Sequence, residues 1–369
     1  MGLSIGIVGL PNVGKSTLFN ALSAAGAAAA NYPFCTIEPN VGVVPVPDPR
    51  LDQLAALVKP KQTIHATLEF VDIAGLVRGA SKGEGLGNQF LANIRQVDAV
   101  LHVLRCFEDP NVVHVEGGID PARDQGVVDT ELCLKDLETV DRRRERSQKM
   151  AKAAGKPGEE ARAELALLDR VHAALDAGTP VRAQRLAPEE HARLRELFLL
   201  TDKPVLYVAN ISEDQLGREE SDPHVRAVRD IAEREHAGVV VLAAAIEAEI
   251  QRLPAPERPA FLASVGLGEP GLNKVVRAGY ALLGLLTYFT VGEQECRAWT
   301  VRRGAKAPEA AGVIHSDFER GFIRAEVFDW KDLLAQGSEA AVREKGLLRV
   351  EGREYVVRDG DCMHFRFNV

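Results

Sequence analysis

The chain has 369 residues, of which 46% are hydrophobic and 27% charged, and its formal net charge is −8 at pH 7. This composition is typical of globular proteins and excludes a chain that is disordered throughout. The length predicts about two or three domains, and the acidic balance confines any nucleic-acid contact to local basic patches.

The cysteines and the apolar runs indicate the compartment. The five cysteines are odd in number and lack Cys-x-x-Cys spacing, which argues against a disulfide framework or a structural zinc site and predicts a cytoplasmic location. The N-terminus has no basic region before its apolar residues, so we predict no signal peptide. No run of about 18 apolar residues occurs, so we predict no membrane-spanning helix and no membrane partner.

The first half of the chain alternates between strand-like and helix-like segments. Residues 4–8 form an apolar run that predicts a buried strand, and residues 15–24 predict a helix. Similar apolar, β-branched runs predict strands at residues 41–46, 67–71, 99–104, 204–209 and 239–242. Helical segments separate several of these runs, which predicts an α/β fold with a mostly parallel sheet covered on both faces.

Two further modules are expected. Residues 131–152 and 159–176 have helical spacing and are joined by a Gly-Lys-Pro-Gly turn, which predicts an α-helical hairpin inserted between strands of the sheet. From residue 279 onwards, short strands are predicted at residues 297–301, 322–327, 348–350, 354–357 and 364–369. We therefore expect a nucleotide-binding domain over 1–130 and 201–278, a helical hairpin over 131–200 and a small α+β domain over 279–369.

The strongest motif is Gly9-Leu-Pro-Asn-Val-Gly-Lys-Ser16, which matches the P-loop pattern in full between a predicted strand and a predicted helix. Gly9 and Gly14 let the backbone wrap an anion, and Lys15 supplies positive charge to the β- and γ-phosphates. The nucleotide-binding residues expected here are Asn12, Val13, Gly14, Lys15, Ser16 and Thr17.

Two more signals indicate a magnesium-dependent switch. Asp72 ends a strand and begins Asp-x-x-Gly, so that Gly75 could sense a γ-phosphate, and Thr36 lies in the loop between the motifs. The predicted Mg²⁺ ligands are Ser16, Thr36 and Asp72. Leu76 stands where switch GTPases carry a glutamine that orients water, so another group must position the water or turnover will be slow.

The base motif departs from the guanine-specific pattern. Asn210-Ile-Ser-Glu213 follows a strand, at the position where a switch GTPase would have Asn-Lys-x-Asp. The longer carboxylate of Glu213 cannot occupy the position of the aspartate without a shift, which puts guanine selectivity in doubt. Asn210, the backbone of Ile211, and Glu213 are expected to hold the base.

Together these residues resemble the Obg-related P-loop proteins of the YchF type, the Obg-like ATPases. The resemblance runs along the whole chain and rests on the motifs above and on Asn-Tyr-Pro-Phe-Cys-Thr36, Gly-Glu-Gly-Leu-Gly-Asn and the closing His-Phe-Arg-Phe-Asn-Val369. It implies a C-terminal TGS domain of ubiquitin-like fold, a preference for ATP over GTP, and association with ribosomes.

The resemblance also points to two single residues. His114 matches a mobile-loop histidine implicated in hydrolysis in this family, although a surface histidine without a role is the alternative from sequence alone. Cys35 lies beside Thr36, where oxidation could disturb the switch loop, and an unreactive cysteine is an equal alternative.

The function expected from the sequence is a ribosome-associated, Mg²⁺-dependent ATPase that acts as a nucleotide switch in translation or stress regulation. Its partners would be ATP and the 50S or 70S ribosome, with rRNA contacts through the helical and TGS domains, and the chain would be a monomer. The basic clusters at residues 142–146 and 302–306 are candidate rRNA contacts or ordinary solvated surface. The alternatives are an Obg-type GTPase, a nucleotide-gated ribosome- or RNA-binding module with incidental hydrolysis, and a nucleotide or small-molecule kinase.

Overall fold

The computed structural model describes residues 3–28, 40–73 and 86–368, which fall into two compact units. The first unit contains the described residues within 1–24, 38–42 and 70–274, and the second contains those within 25–37, 43–69 and 275–369. No helix within the described residues is both long enough and apolar enough to span a membrane.

A mostly parallel sheet organises the first half of the chain. Its strand order is β2-β4-β1-β5-β6-β7, and the strands are β1 Ser4–Val8, β2 Val41–Pro45, β4 Thr67–Asp72, β5 Ala99–Arg105, β6 Val205–Asn210 and β7 Gly238–Leu242. Strands β1, β5, β6 and β7 run parallel. Every residue of β5 and β6 is buried, as expected where helices cover both faces of a sheet. The predicted α/β class is confirmed.

The helices of this part of the chain agree with the alternating pattern. They are α1 Lys15–Ala28, α2 Pro49–Val58, α3 Leu86–Gln96, α4 Pro121–Met150, α5 Lys156–Asp176, α6 Pro188–Leu194, α7 Pro223–Glu235, α8 Ala244–Arg252, α9 Arg258–Ser264 and α10 Gly271–Leu282. Short 3₁₀ turns lie between several of them, including Glu213–Gln215 after β6.

The helical hairpin is present as α4 and α5, but α4 begins ten residues before the expected position of 131, at Pro121. Asp120 caps this start, since its side chain accepts a hydrogen bond from the Arg123 amide at 3.0 Å. The hairpin has its own apolar core, which contains Val140, Leu168 and Val171. An aspartate followed by proline was the start signal in the sequence.

The basic run on α4 is partly used within the hairpin. Arg143 Nε donates to Glu164 Oε1 at 2.9 Å, and Arg144 Nε donates to Asp169 Oδ1 at 2.8 Å. Both acceptors lie on α5. These two arginines therefore fasten the helices together, and this favours the structural interpretation for them.

The second unit is built on another six-stranded sheet, with the order β11-β10-β12-β8-β9-β3. Its strands are β3 Gln62–Ile64, β8 Leu285–Val291, β9 Glu295–Arg302, β10 Phe322–Asp329, β11 Arg349–Glu351 and β12 Asp361–Phe367. Its helices after α10 are α11 Ala307–Ile314, α12 Ser316–Arg320, α13 Trp330–Gln336 and α14 Glu339–Glu344. Tyr288, Val327 and Met363 are among the residues of its core.

Two expectations for this region differ from the structure. Residues 354–357 form no strand, and Val356 makes only an isolated bridge to Lys306. The chain turns directly after this bridge, where the Arg358 amide donates to Asp361 Oδ2. Residues 43–69 belong to the second unit rather than to the expected 1–130 segment. The reason is tertiary: β3 pairs with β9, and Arg50 forms an ion pair with Asp359.

A buried carboxylate anchors the base of the hairpin. Asp136 on α4 is completely buried and accepts hydrogen bonds from the Leu200 amide at 2.8 Å, the Thr201 amide at 2.8 Å and the Thr201 hydroxyl at 2.7 Å. Burial raises the pKa of this carboxyl group, while the three donors act in the opposite direction. Asp136 therefore holds the segment that leads back into the sheet.

We predict that Asp136→Ala lowers the free energy of unfolding by about 3 kcal/mol, because buried donors lose their acceptor. Urea denaturation followed by circular dichroism measures the loss. Asp141→Ala is the matched control on the same helix, since its side chain is 51% exposed and pairs with Arg144 at the surface. Equal losses for the two variants would contradict the anchoring role.

Candidate functional site

The segment between β1 and α1 has the backbone geometry of an anion-binding loop. Asn12 has φ of 65° and Gly14 has φ of 94°, in the left-handed region that favours glycine. A Cβ atom at Gly14 would lie 2.1 Å from Asn210 Nδ2, and one at Gly9 would lie 2.8 Å from the Val103 carbonyl oxygen. Both glycines are therefore required by close packing, and α1 begins immediately after the loop, at Lys15.

Asn210 joins this loop to the opposite side of the site. Its Nδ2 donates to the Val13 carbonyl oxygen at 2.8 Å, and its Oδ1 accepts from the Ala244 amide at 2.9 Å. The residue is 3% exposed and ends β6. The predicted base-motif asparagine thus also braces the P-loop.

Lys15 and Asp72 meet at the phosphate end of the site. Lys15 Nζ forms an ion pair with Asp72 Oδ1, and Asp72 is the last residue of β4. Ser16 is exposed and lines the cavity beside Lys15. A serine hydroxyl and a carboxylate are oxygen donors of the kind that Mg²⁺ prefers, so the residues present fit this ion.

A cavity of about 740 Å³ opens at the carboxyl edge of the sheet. Of the predicted nucleotide-binding residues, it is lined by Asn12, Gly14, Lys15, Ser16, Thr17, Asn210, Ile211 and Glu213. Val13 is buried behind the lining and contributes its carbonyl to Asn210. The structure therefore brings together residues about 200 positions apart in the sequence, as Val13 and Asn210 are.

Sequence reasoning missed one wall of this cavity and part of another. Phe107, Glu108, Asp109 and Val112 line it from the loop after β5, and Ala244 and Ala245 line it from the start of α8, which follows β7. The signal was available, because ligands of open α/β sheets bind beyond the carboxyl ends of the strands. The loops after β5 and β7 leave from that edge.

Arg105 holds the missed wall in place. It is 2% exposed, and its guanidinium donates to the carbonyl oxygens of Phe107 and Val112, both at 3.0 Å. Longer bonds reach the Asp109 carbonyl at 3.4 Å and the Asn12 carbonyl at 3.5 Å. The guanidinium carbon also lies 4.5 Å from the centre of the Phe107 ring. One buried cation therefore connects the P-loop to the loop after β5.

His114 lies in the continuation of that loop and is not among the residues that line the cavity. Nε2 is 2.7 Å from Asp124 Oδ2, and Nδ1 accepts a hydrogen bond from the Glu116 amide at 3.1 Å. The residue is 8% exposed, whereas its neighbour Val113 is 76% exposed. Asn12 Nδ2 donates to the Val113 carbonyl at 3.0 Å. In this arrangement both ring nitrogens already have partners.

Some predicted residues cannot be placed. Thr36, Gly75, Leu76 and Cys35 lie outside the described residues. The other cysteines are buried, and burial raises their thiol pKa, to about 12 for Cys133. None of these described thiols therefore has the lowered pKa that marks a reactive cysteine.

Two family matches cover most of the chain. Residues 4–153 match a family described as a 50S ribosome-binding GTPase, and residues 285–368 match the YchF GTPase C-terminal domain, described as a protein of unknown function. The ribosome-binding ATPase YchF of Escherichia coli O157:H7 is 56% identical over 369 residues, which is 100% of each chain. The chain belongs to the YchF family. The protein of the same name from Bacillus subtilis is 54% identical over the same length.

A solved YchF structure supports the same assignment. The structure of the Schizosaccharomyces pombe YchF GTPase aligns with a TM-score of 0.90 at 37% identity, covering 99% of this chain and 98% of that one. The YchF architecture therefore extends over both units. The names of these relatives differ in the nucleotide: the bacterial proteins are called ATPases and the yeast protein a GTPase.

We predict that Asn210→Ala weakens binding of a nucleoside triphosphate about tenfold or more, because the P-loop carbonyl and the Ala244 amide both lose their partner. Asn210→Asp provides a comparison: it keeps the acceptor for Ala244 but places a buried carboxylate oxygen against the Val13 carbonyl oxygen, and so should weaken binding at least as much. Titration calorimetry measures both. Wild-type affinity in both variants would show that the brace does not shape the site.

Proposed function

We propose that this YchF protein is a Mg²⁺-dependent ATPase whose nucleotide state switches its binding to the ribosome. The observation that carries the proposal is the cavity that joins the P-loop to a base motif ending in Glu213 instead of aspartate. The bacterial relatives that match along their full length are named ribosome-binding ATPases, which supports both parts of the proposal.

The base end of the cavity suits adenine better than guanine. Guanine-specific P-loop switches read the base with an aspartate carboxylate, and selectivity of this kind depends on accurate hydrogen-bond geometry. Here the carboxylate belongs to Glu213, whose side chain is one methylene longer than that of aspartate and which is exposed on a 3₁₀ turn. Ile211, at the position of the lysine in the guanine-specific motif, is 3% exposed. Phe107 on the other wall offers an aromatic face that any purine can stack against.

The phosphate end supplies charge and donors. Lys15 would exchange its ion pair with Asp72 for the β- and γ-phosphates, and the amides at the start of α1 would point at phosphate oxygens. Ser16 and Asp72, with Thr36 as a further expected ligand, would hold Mg²⁺, which would neutralise charge that develops on the phosphates. Within the described residues no cluster of three or more His, Cys, Asp or Glu forms a metal site, so phosphate and water would complete the coordination.

We also propose His114 as the group that positions the attacking water. The residue must first leave Asp124 and the Glu116 amide, which hold both ring nitrogens. Gly117 and Gly118 follow it, and a Cβ at either would meet open space. This gives the loop room to change conformation. Because Leu76 stands in place of glutamine, we expect slow turnover until the loop brings His114 to the water.

The remaining proposals concern partners and domains. The described residues within 1–24, 38–42 and 70–274 would form the nucleotide-binding domain with the inserted hairpin, and residues 279–369 a TGS domain. Arg302 and Arg303 are exposed on the C-terminal unit and are candidate contacts to rRNA phosphates. We expect a cytoplasmic monomer. Cys35, beside Thr36, remains a candidate site of redox control.

The nucleotide preference is the decisive test. We predict tighter binding of a non-hydrolysable ATP analogue than of the matching GTP analogue, and ATP turnover that rises on addition of 70S ribosomes and falls on addition of EDTA. Lys15→Met should remove triphosphate binding, because the phosphates lose their positive partner. Tighter GTP binding would favour the Obg-type GTPase, and ATP-dependent ribosome binding without turnover would favour a binding module.

The catalytic role of His114 has its own test. We predict that His114→Ala lowers kcat for ATP about 100-fold or more, within the range lost when a proton-handling or water-orienting group is removed, with little change in ATP affinity. Asp124→Asn should weaken the resting bond to His114 and keep measurable turnover. Unchanged kcat in His114→Ala would assign the residue to loop structure alone.

A further inference from the structure

Two loops form facing walls at the base end of the cavity. Phe107, Glu108 and Asp109 belong to the wall that follows β5, and Ile211, Ser212 and Glu213 belong to the wall that follows β6. Strands β5 and β6 are adjacent and parallel, with Arg105 opposite Asn210. The Cys106 amide still donates to the Asn210 carbonyl at 2.8 Å. Beyond this bond the two segments separate, and the cavity lies between them.

One side chain behind the cavity connects these walls. Gln215 Oε1 accepts from the Ser212 amide at 2.8 Å and from the Ser212 hydroxyl at 2.6 Å. Its Nε2 donates to the Cys106 carbonyl at 2.9 Å and to Asp222 Oδ2 at 2.7 Å. All hydrogen-bonding groups of this carboxamide are therefore used: two bonds join Ser212 in the wall after β6, one joins Cys106 at the start of the wall after β5, and one joins Asp222.

Asp222, which supports the wall after β6 through Gln215, is itself held in place by α7. Asp222 Oδ1 caps α7 by accepting from the His224 amide at 2.8 Å and the Val225 amide at 3.0 Å. These bonds, together with that from Gln215, hold the pKa of the Asp222 carboxyl group below its usual value even though burial acts the other way. The wall after β6 is thus tied to a helix end as well as to the opposite wall.

We propose that Gln215 is a positioning residue that sets the base selectivity of the cavity. It fixes the spacing and orientation of the Ser212 and Cys106 segments, and so decides which hydrogen-bonding edge of a purine the walls can satisfy. This inference rests on the proposed nucleotide-binding function and names a determinant that lies outside the Asn210–Glu213 motif. Gln215 itself need not touch the base.

The physical reason is the penalty for an unmatched polar edge. A site that pairs the groups of one base leaves them unpaired with another, and discrimination arises from that cost. The cost exists only while the walls keep their spacing. A loosened wall adapts to either purine, so selectivity falls more than affinity for the preferred base.

The experiment measures equilibrium dissociation constants for the β,γ-methylene analogues of ATP and GTP by titration calorimetry. The measured quantity is the dissociation constant of the GTP analogue divided by that of the ATP analogue. Gln215→Met, which keeps the length of the side chain and removes its hydrogen bonds, should lower this ratio about tenfold. Gln215→Glu keeps the acceptor for Ser212 but cannot donate to Cys106, and should lower the ratio similarly. It also places a second carboxylate against Asp222.

A double variant separates the two donor bonds. Gln215→Glu combined with Asp222→Asn restores a donor–acceptor pair towards α7, and asparagine can still cap the helix. Its melting temperature should return towards the wild-type value, while the ratio of dissociation constants stays low because the Cys106 carbonyl remains unpaired. Recovery of both quantities would assign selectivity to the helix end and overturn the role of the bridge between the walls.

Gln125→Met is the matched control, because Gln125 is a partly buried glutamine that donates to Glu235 at 3.2 Å, away from the cavity lining. It should change the melting temperature and leave the ratio within about twofold. The inference is overturned if folded Gln215→Met and Gln215→Glu both keep the wild-type ratio, or if Gln125→Met lowers it equally. A wild-type preference for GTP would refute the proposed ATPase, whereas a shifted ratio in the variants would still support Gln215.

Discussion

The shape of the nucleotide cavity depends on the carboxamide of Asn210. It connects the end of β6 to the Val13 carbonyl of the P-loop and to the Ala244 amide after β7, so three distant segments share one buried group. Because both its donor and its acceptor are used and the residue is only 3% exposed, loss of either bond would leave a buried polar atom unpaired. The same contact explains Gly14, since no side chain fits between the loop and this amide.

The same physical solution recurs around the cavity. Parallel strands end with main-chain groups that the sheet no longer pairs, and buried groups of this kind require partners. Arg105 supplies donors to the loop after β5, and Gln215 joins that loop to the loop after β6. The site is therefore framed from behind by side chains that need not contact the nucleotide. Its selectivity depends on these supports as well as on the residues that line it.

The sequence predicted those parts of the fold that depend on a local pattern of residues. The P-loop, its flanking strand and helix, and the strands of the parallel sheet follow from apolar runs and glycine positions. Strand β8 was not predicted, because Leu285–Val291 is an apolar run that follows the end of α10 at Leu282 almost directly, and periodicity alone does not separate such a run from a buried helix. Strand β3 has only three residues and exists through its pairing with β9. Arg105 was likewise unpredictable as a support, because its partners are carbonyl groups, which no sequence pattern marks.

The placement of His114 connects its proposed role in hydrolysis to the P-loop. Because Nδ1 accepts a hydrogen bond from the Glu116 amide, the ring proton lies on Nε2 and is donated to Asp124. Neither ring nitrogen is therefore available to bind a water molecule in this arrangement. The carbonyl of the preceding residue, Val113, accepts from Asn12, a P-loop residue that lines the cavity. Any ligand that draws the Asn12 side chain towards phosphate removes this restraint on the loop. If His114 positions the attacking water as proposed, a partner that stabilises the released loop would accelerate hydrolysis without contacting the nucleotide.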